Sequence, residues 1–185
     1  MSKKTNNTLA EKFFEAWKAE ANDWEDKLLE AWNSSRDYTR LVINEHSVIK
    51  GTADRLNLCC YPYEYYSLDA VLYQKEHRVP GTEGCWLRDI SVAFEHENVY
   101  DRNLFQEVAH LLITRCNLRV LVTYSWVDSN GNNILDYLHN IIDGSNAADA
   151  INTANSFLMI FGSNKGGAIS WEGRIFKKEA WCLLG

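Results

Sequence analysis

Apolar side chains recur at helical spacing along the first part of the chain. Phe13, Trp17, Trp24 and Leu28 lie four, seven and four residues apart, and Trp32 continues the series. That spacing predicts one face of a long helix over residues 8–33. Thr8 and Glu11 form a capping-box start, and Asn33-Ser34-Ser35 supplies a stop. A second helical pattern carries Leu41, Glu45, Val48, Thr52 and Leu56 on one side and is weakened by Gly51. The aromatic stripe predicts core packing; left exposed, it would serve a protein partner or a second copy of the chain.

The pattern then changes to strands. Tyr65 to Gln74 and Trp86 to Glu95 read as a strand pair around the turn Arg78 to Gly84. Pro62 keeps Cys59 to Tyr63 from being an ordinary central strand. A helix runs from Asp101 or Asn103 through Ile113, followed by the near-continuous apolar run Leu118 to Trp126, the mark of a buried strand. Ile134 to Ile142 and Ala147 to Ala154 read as helices. Phe157 to Phe161 and Ala168 to Phe176 read as strands joined by "GSNKGG". The expectation is a single α/β domain over residues 1–185, with a mixed central sheet flanked by helices. Its parts are the N-terminal helix, a core over about 36–126, and C-terminal helices with a strand pair over 131–180.

Composition narrows the class. The five cysteines are odd in number, two are adjacent, and none form a C-x-x-C pair, which reads as reduced thiols in a cytoplasmic protein. No apolar run reaches the roughly 20 residues of a membrane span, and no signal peptide is visible. The net charge of −6 argues against a broad nucleic-acid wrap but leaves room for a local basic groove. Lys165, Arg174, Lys177 and Lys178 place the most cationic stretch near the C-terminus, where a solvated face is the plainer explanation.

The chemistry concentrates in two strands. "SLDAVLYQ" puts Asp69 in strand-forming surroundings, where a buried carboxylate needs a compensating partner. In "DISVAFEHEN", alternation places Ile90, Val92 and Phe94 on one face and Ser91, Ala93, Glu95 and Glu97 on the other. If the two strands pair, Asp69 lies beside the two glutamates. Like charges so placed call for a cation or a proton. Oxygen ligands with room for water suit Mg²⁺ or Mn²⁺. A structural acid network is the competing explanation.

The pattern "SLDAVLY…ISVAFEHEN", a helix containing Glu107, and "LRVLVTY" together resemble the PD-(D/E)xK nuclease superfamily, the restriction-endonuclease-like fold. The resemblance covers about residues 36–126 and rests on pattern and element order. It implies a helix–three-strand–helix–strand core and a metal-dependent nuclease acting on DNA. Asp69 and Glu95 would be its metal-binding and catalytic acids. Glu97 stands where the family has lysine, and Leu68 where it has proline. Glu97 would then bind the metal or take a proton from water; alternatively, the chain is a catalytically inactive member acting as a protein-binding module. Glu45 is a further candidate ligand and Glu107 is expected to face the sheet and support the site, each with a solvated surface position as the alternative. His96 is expected to be a packed or edge histidine rather than a base, and Lys75 is too far along its strand to replace the missing lysine.

Other signals are weaker. "DSNGNN", Asp128 to Asn133, lacks the glycine and glutamate that a calcium loop requires and reads as a helix-capping turn. Cys59, Cys60, His77 and Cys85 make a poor zinc set because adjacent cysteines fit tetrahedral geometry badly.

Overall fold

A computed structural model describes residues 7–124 and 131–184. The capping box forms as expected: Glu11 N donates to Thr8 Oγ1 at 3.2 Å, and Thr8 N donates to Glu11 Oε2 at 2.6 Å. The long helix divides into α1 (Leu9–Asp23) and α2 (Glu25–Ala31), with Trp24 leaving helical geometry at ψ 3°. Trp24 Nε1 donates back to Glu20 Oε1 at 3.0 Å, holding the bend. The second helical pattern also divides, into α3 (Ser35–Val42) and α4 (Val48–Arg55). Ser47 accepts from Lys50 N and so caps a fresh helix start that periodicity alone does not reveal.

The described strands are β1 (Cys59–Tyr61), β2 (Ala70–Tyr73), β3 (Ile90–Glu97), β4 (Cys116–Tyr124), β5 (Phe157–Asn164), β6 (Ile169–Ile175) and β7 (Cys182–Leu183). Their helices are α5 (Phe105–Ile113), α6 (Gly131–Asp143) and α7 (Ala148–Ala154). The strands form one seven-stranded sheet in simple sequence order. The β3–β4 and β4–β5 pairs are parallel, and the other pairs are antiparallel. Parallel neighbours need crossovers. Here α5 links β3 to β4, and α6 with α7 links β4 to β5. The expected mixed α/β sheet is therefore present, with β1 and β7 as additional short edges. The candidate calcium-like turn falls largely outside the described residues, as does Trp126.

The sheet separates two cores. Phe13, Trp17, Leu28, Tyr38 and Ile49 from α1–α4 pack on Leu72, Val92, Phe94, Val120 and Ile160. Val108, Leu111, Leu138 and Ile151 from α5–α7 cover Val71, Ala93, Leu121 and Met159 on the opposite face. Along β3 the alternation holds for Val92, Ala93 and Phe94, whereas Ile90, at the strand entry, packs with the second cluster. The aromatic stripe faces inward: Phe13 and Trp17 are fully buried, so neither ring is available to a partner. Their burial is the larger gain for a helix this short, since packing an apolar face outweighs propensity.

The expected first strand is shortened because its beginning turns back on itself. Tyr65 N donates to Leu68 O at 2.8 Å, and Leu68 N donates to Tyr65 O at 3.1 Å. Tyr66 and Ser67 between them adopt φ of 51° and 71°. This is a two-residue hairpin with both central residues left-handed, the signature of a type I′ turn. Neither residue is glycine or asparagine, and each carries a cost of about 1–2 kcal/mol.

One close approach ties the sheet centre to its aromatic cover. A Cβ on Gly162 would lie 2.7 Å from Tyr124 Cδ1 and 2.8 Å from Trp171 Cζ3. Gly162→Val should therefore lower stability by about 1–3 kcal/mol through overpacking. Trp17→Ala should cost about 3–5 kcal/mol. Urea unfolding measures both, and wild-type midpoints in either variant would contradict this packing.

Candidate metal site at the end of strand β3

Antiparallel pairing sets Ala70 opposite Phe94, so the next step outward sets Asp69 opposite Glu95. Opposed residues project to the same face. The two acids accordingly share the α5 face with Val71 and Ala93. Asp69 N donates to Glu95 Oε2 at 3.2 Å, and His96 N donates to Asp69 Oδ2 at 2.8 Å. Each acid thus takes a backbone donor from the neighbouring strand. Their carboxyl groups are also hydrogen-bond partners of one another.

From above, α5 contributes two more groups. His110 Nδ1 lies 3.3 Å from Glu95 Oε1 and 3.5 Å from Glu107 Oε2. Ligand atoms of Glu95, Glu107 and His110 all fall within 4.8 Å of one another. Glu107 stands in the first turn of α5, where the helix dipole favours negative charge. His110 follows at the i+3 position, on the same helical face.

The electrostatics are those of crowded, dry acids. The Glu95 side chain is 1% exposed. Burial, then the charges of Asp69 and Glu107, push its carboxyl up to about 9. Burial also raises Asp69, against the pull of the His96 N–H. Glu107 is raised by burial, with His110 opposing. Among the described residues no lysine or arginine forms an ion pair with Asp69, Glu95 or Glu107.

The sequence-derived residues therefore separate. Asp69 and Glu95 meet. Glu107 joins them, and His110, which sequence reasoning missed, joins too. Its signal was the i, i+3 spacing from Glu107 on a helix entering from the correct side. Glu97 sits close enough for its charge to raise Asp69 and Glu107, but its Oε1 accepts from Val99 N at 2.9 Å. Glu45 is an exposed loop residue bonded to Tyr63 Oη. Lys75 begins a 3-10 turn just beyond the far end of β2 from Asp69.

His96 is packed on the opposite face, as expected. Its Nε2 lies 2.9 Å from Tyr124 Oη, and its ring stacks on Tyr38. Burial pushes its imidazole down to about 3, so the ring is neutral. The C-terminal cations are largely engaged: Arg174 pairs with Glu172, Lys178 with Asp149, and Lys177 Nζ donates to Asn152 O. All five cysteines are free thiols. Among the described residues no helix is long and apolar enough to cross a membrane. Comparison with known proteins finds no matching family model, curated protein or solved structure.

A raised carboxyl pKa makes the folded chain bind a proton that the unfolded chain has released. The ordinary glutamate value here is 4.5 and the folded value about 9. Stability is therefore fully present below the lower value and is lost as pH climbs through the upper one. Asp69 and Glu107 shift in the same direction and add to the slope. Metal-free protein should lose stability steadily from about pH 5 to pH 9, by up to about 1.4 kcal/mol per pH unit for each retained proton. Glu95→Gln, which mimics the protonated form, should flatten much of that slope in denaturant unfolding. An unchanged slope would remove Glu95 as its source.

Proposed function

We propose that this protein is a divalent-metal-dependent phosphodiesterase of the PD-(D/E)xK type, with DNA as its substrate. The observation that carries the reading is the opposition of Asp69 and Glu95 across β2 and β3, with Glu107 and His110 converging on Glu95. The order α4, β1, β2, β3, α5, β4 supports it, because the sequence resemblance implies that same succession.

The donor set fits a cation. Three carboxyl groups and one imidazole supply mostly hard oxygen ligands with a single nitrogen, which favours Mn²⁺ over Mg²⁺. Glu95, Glu107 and His110, whose ligand atoms lie within 4.8 Å of one another, would hold it, and Asp69 beside Glu95 would complete the set. Bound there, such an ion polarises a phosphoryl oxygen and lowers the pKa of a coordinated water.

The chain's own groups divide the remaining work. Glu95 gives up the proton that burial and its neighbours keep on it. Asp69 is oriented by the His96 N–H on its Oδ2. His110 is 36% exposed, so as a ligand it would reach from the buried acid to solvent. Glu97 does not take over the lysine's role of offsetting charge, since a carboxyl group carries no positive charge.

One observation favours a second, non-catalytic reading: the acids have no lysine or arginine partner among the described residues to balance transition-state charge. A protein-binding module on this scaffold would also lack the aromatic stripe as a docking face, because Phe13 and Trp17 are buried.

Purified protein should bind Mn²⁺ in calorimetry, more tightly as pH rises toward 9 because binding displaces the Glu95 proton. With Mn²⁺ present it should cut DNA. Asp69→Asn and Glu95→Gln should lower the cutting rate by about 100-fold or more, in line with the loss of a group that holds a catalytic ion. Glu97→Gln should have a smaller effect. Absence of Mn²⁺ binding at pH 8 would defeat the reading; metal binding with no cleavage would leave the non-catalytic one.

A further inference from the structure

We propose that the hairpin turn immediately before Asp69 is a stacking platform for an unpaired nucleobase, so that the acidic site acts on polynucleotides with single-stranded character. This deepens the phosphodiesterase reading above and rests on it.

The turn is built against its own backbone preference. Tyr66 and Ser67 hold positive φ at the two positions where glycine and asparagine fit without strain. That strain is not offset by burial of the ring, since Tyr66 is 73% exposed. Strained backbone that displays a side chain outward points to a contact made outside the fold.

Tyr66 does not stand alone. Its ring meets Tyr65 edge-on at 5.0 Å between centroids and Trp86 at 6.4 Å. Trp86 is 50% exposed and is oriented by its Nε1, which donates to Glu83 O at 3.0 Å. Behind them Tyr65 is fixed by the Leu87 N–H on its Oη at 3.3 Å and by Tyr61 at 6.0 Å. Two exposed rings are therefore backed by a braced aromatic ladder. Such rings offer π-faces to bases of any identity.

Position selects the occupant. Tyr66 is three residues from Asp69, so their Cα atoms are at most roughly 11 Å apart. A strand with one phosphate at the acids would bring a neighbouring base within reach of the ring. Bases inside a duplex are already stacked on each other and would not be free to do so. The hairpin that carries Trp86 also carries Arg78 and Arg88. Their guanidinium groups donate to the carbonyl oxygens of Gly84 and Glu76. Neither forms an ion pair among the described residues, so their charge is available to the phosphates flanking a stacked base.

The test compares three probes by fluorescence titration in metal-free buffer: a short oligothymidylate, the same chain without bases, and the oligothymidylate paired with its complement. Wild type should bind the single strand more tightly than either of the other two. Tyr66→Ala and Trp86→Ala should each weaken single-strand binding by about 5- to 150-fold, the loss of one base stack. Tyr66→Phe should preserve it. Tyr66→Gly should weaken binding while raising the melting temperature by roughly 2–4 °C, because it relieves the turn. A purely structural role would not separate these two readouts. Equal affinity for the baseless chain, or unaltered binding in both alanine variants, would overturn the platform. Asp69→Asn should keep single-strand binding and lose cleavage. Stacking without cleavage in wild type would overturn the phosphodiesterase reading alone, and cleavage unaffected by Tyr66→Ala would overturn the platform alone.

Discussion

A carboxyl pair set between two antiparallel strands, with Glu95 buried and Asp69 half-buried, constrains this site more than any other feature. Asp69 and Glu95 are forced together by β-sheet register, and neither can leave without breaking a backbone hydrogen bond from the other strand. Two anions so placed in a dry setting are unfavourable, so one of them keeps a proton. The same arrangement that makes the free acids costly makes them receptive to a cation. Glu107 and His110 extend the set from a different element, which gives it three-dimensional reach.

The opposite face of the sheet supports this geometry. His96 follows Glu95 in β3, so its side chain points the other way, into the aromatic layer of Tyr38, Tyr124 and Trp32. Its ring is anchored by Tyr124 Oη while its backbone N–H holds Asp69. Tyr124 in turn packs where Gly162 leaves room beside Trp171. A chain of close contacts thus runs from the centre of the sheet to the acid that faces the other layer. The buried Phe13 and Trp17 belong to that supporting layer, with Trp24 and Trp32 half-buried against it.

Much of the architecture was legible in local pattern. The buried strand over Leu118 to Tyr124, the crossover helix before it and the C-terminal strand pair all follow from apolar runs and turn residues. Helix breaks were less legible. Trp24 carries a perfectly helical side-chain period, yet the backbone leaves helical geometry there and the side chain bonds back to Glu20. The division between α3 and α4 depends on Ser47 acting as a cap, a role it shares with many serines that cap nothing. The short edge strand β7 is two residues long and has no periodicity to detect. The Tyr66-Ser67 turn was hidden because tyrosine ordinarily favours extended structure and neither residue is the glycine or asparagine such a turn prefers, and only the paired hydrogen bonds of Tyr65 and Leu68 reveal it.

The amino-acid sequence by itself determined that Asp69 lies in a strand-forming stretch and that Glu95 and Glu97 share one side of another. Alternation along an extended chain settles that, and it needs no knowledge of what lies across. Only the tertiary structure decided which acids meet. Register brought Asp69 to Glu95, one oxygen of Glu97 accepts from Val99 N nearby, and the packing of α5 on the sheet delivered Glu107 and His110. The reason is physical: periodicity encodes the direction of a side chain within its own element, whereas distance between elements is set by packing and pairing that no single segment contains.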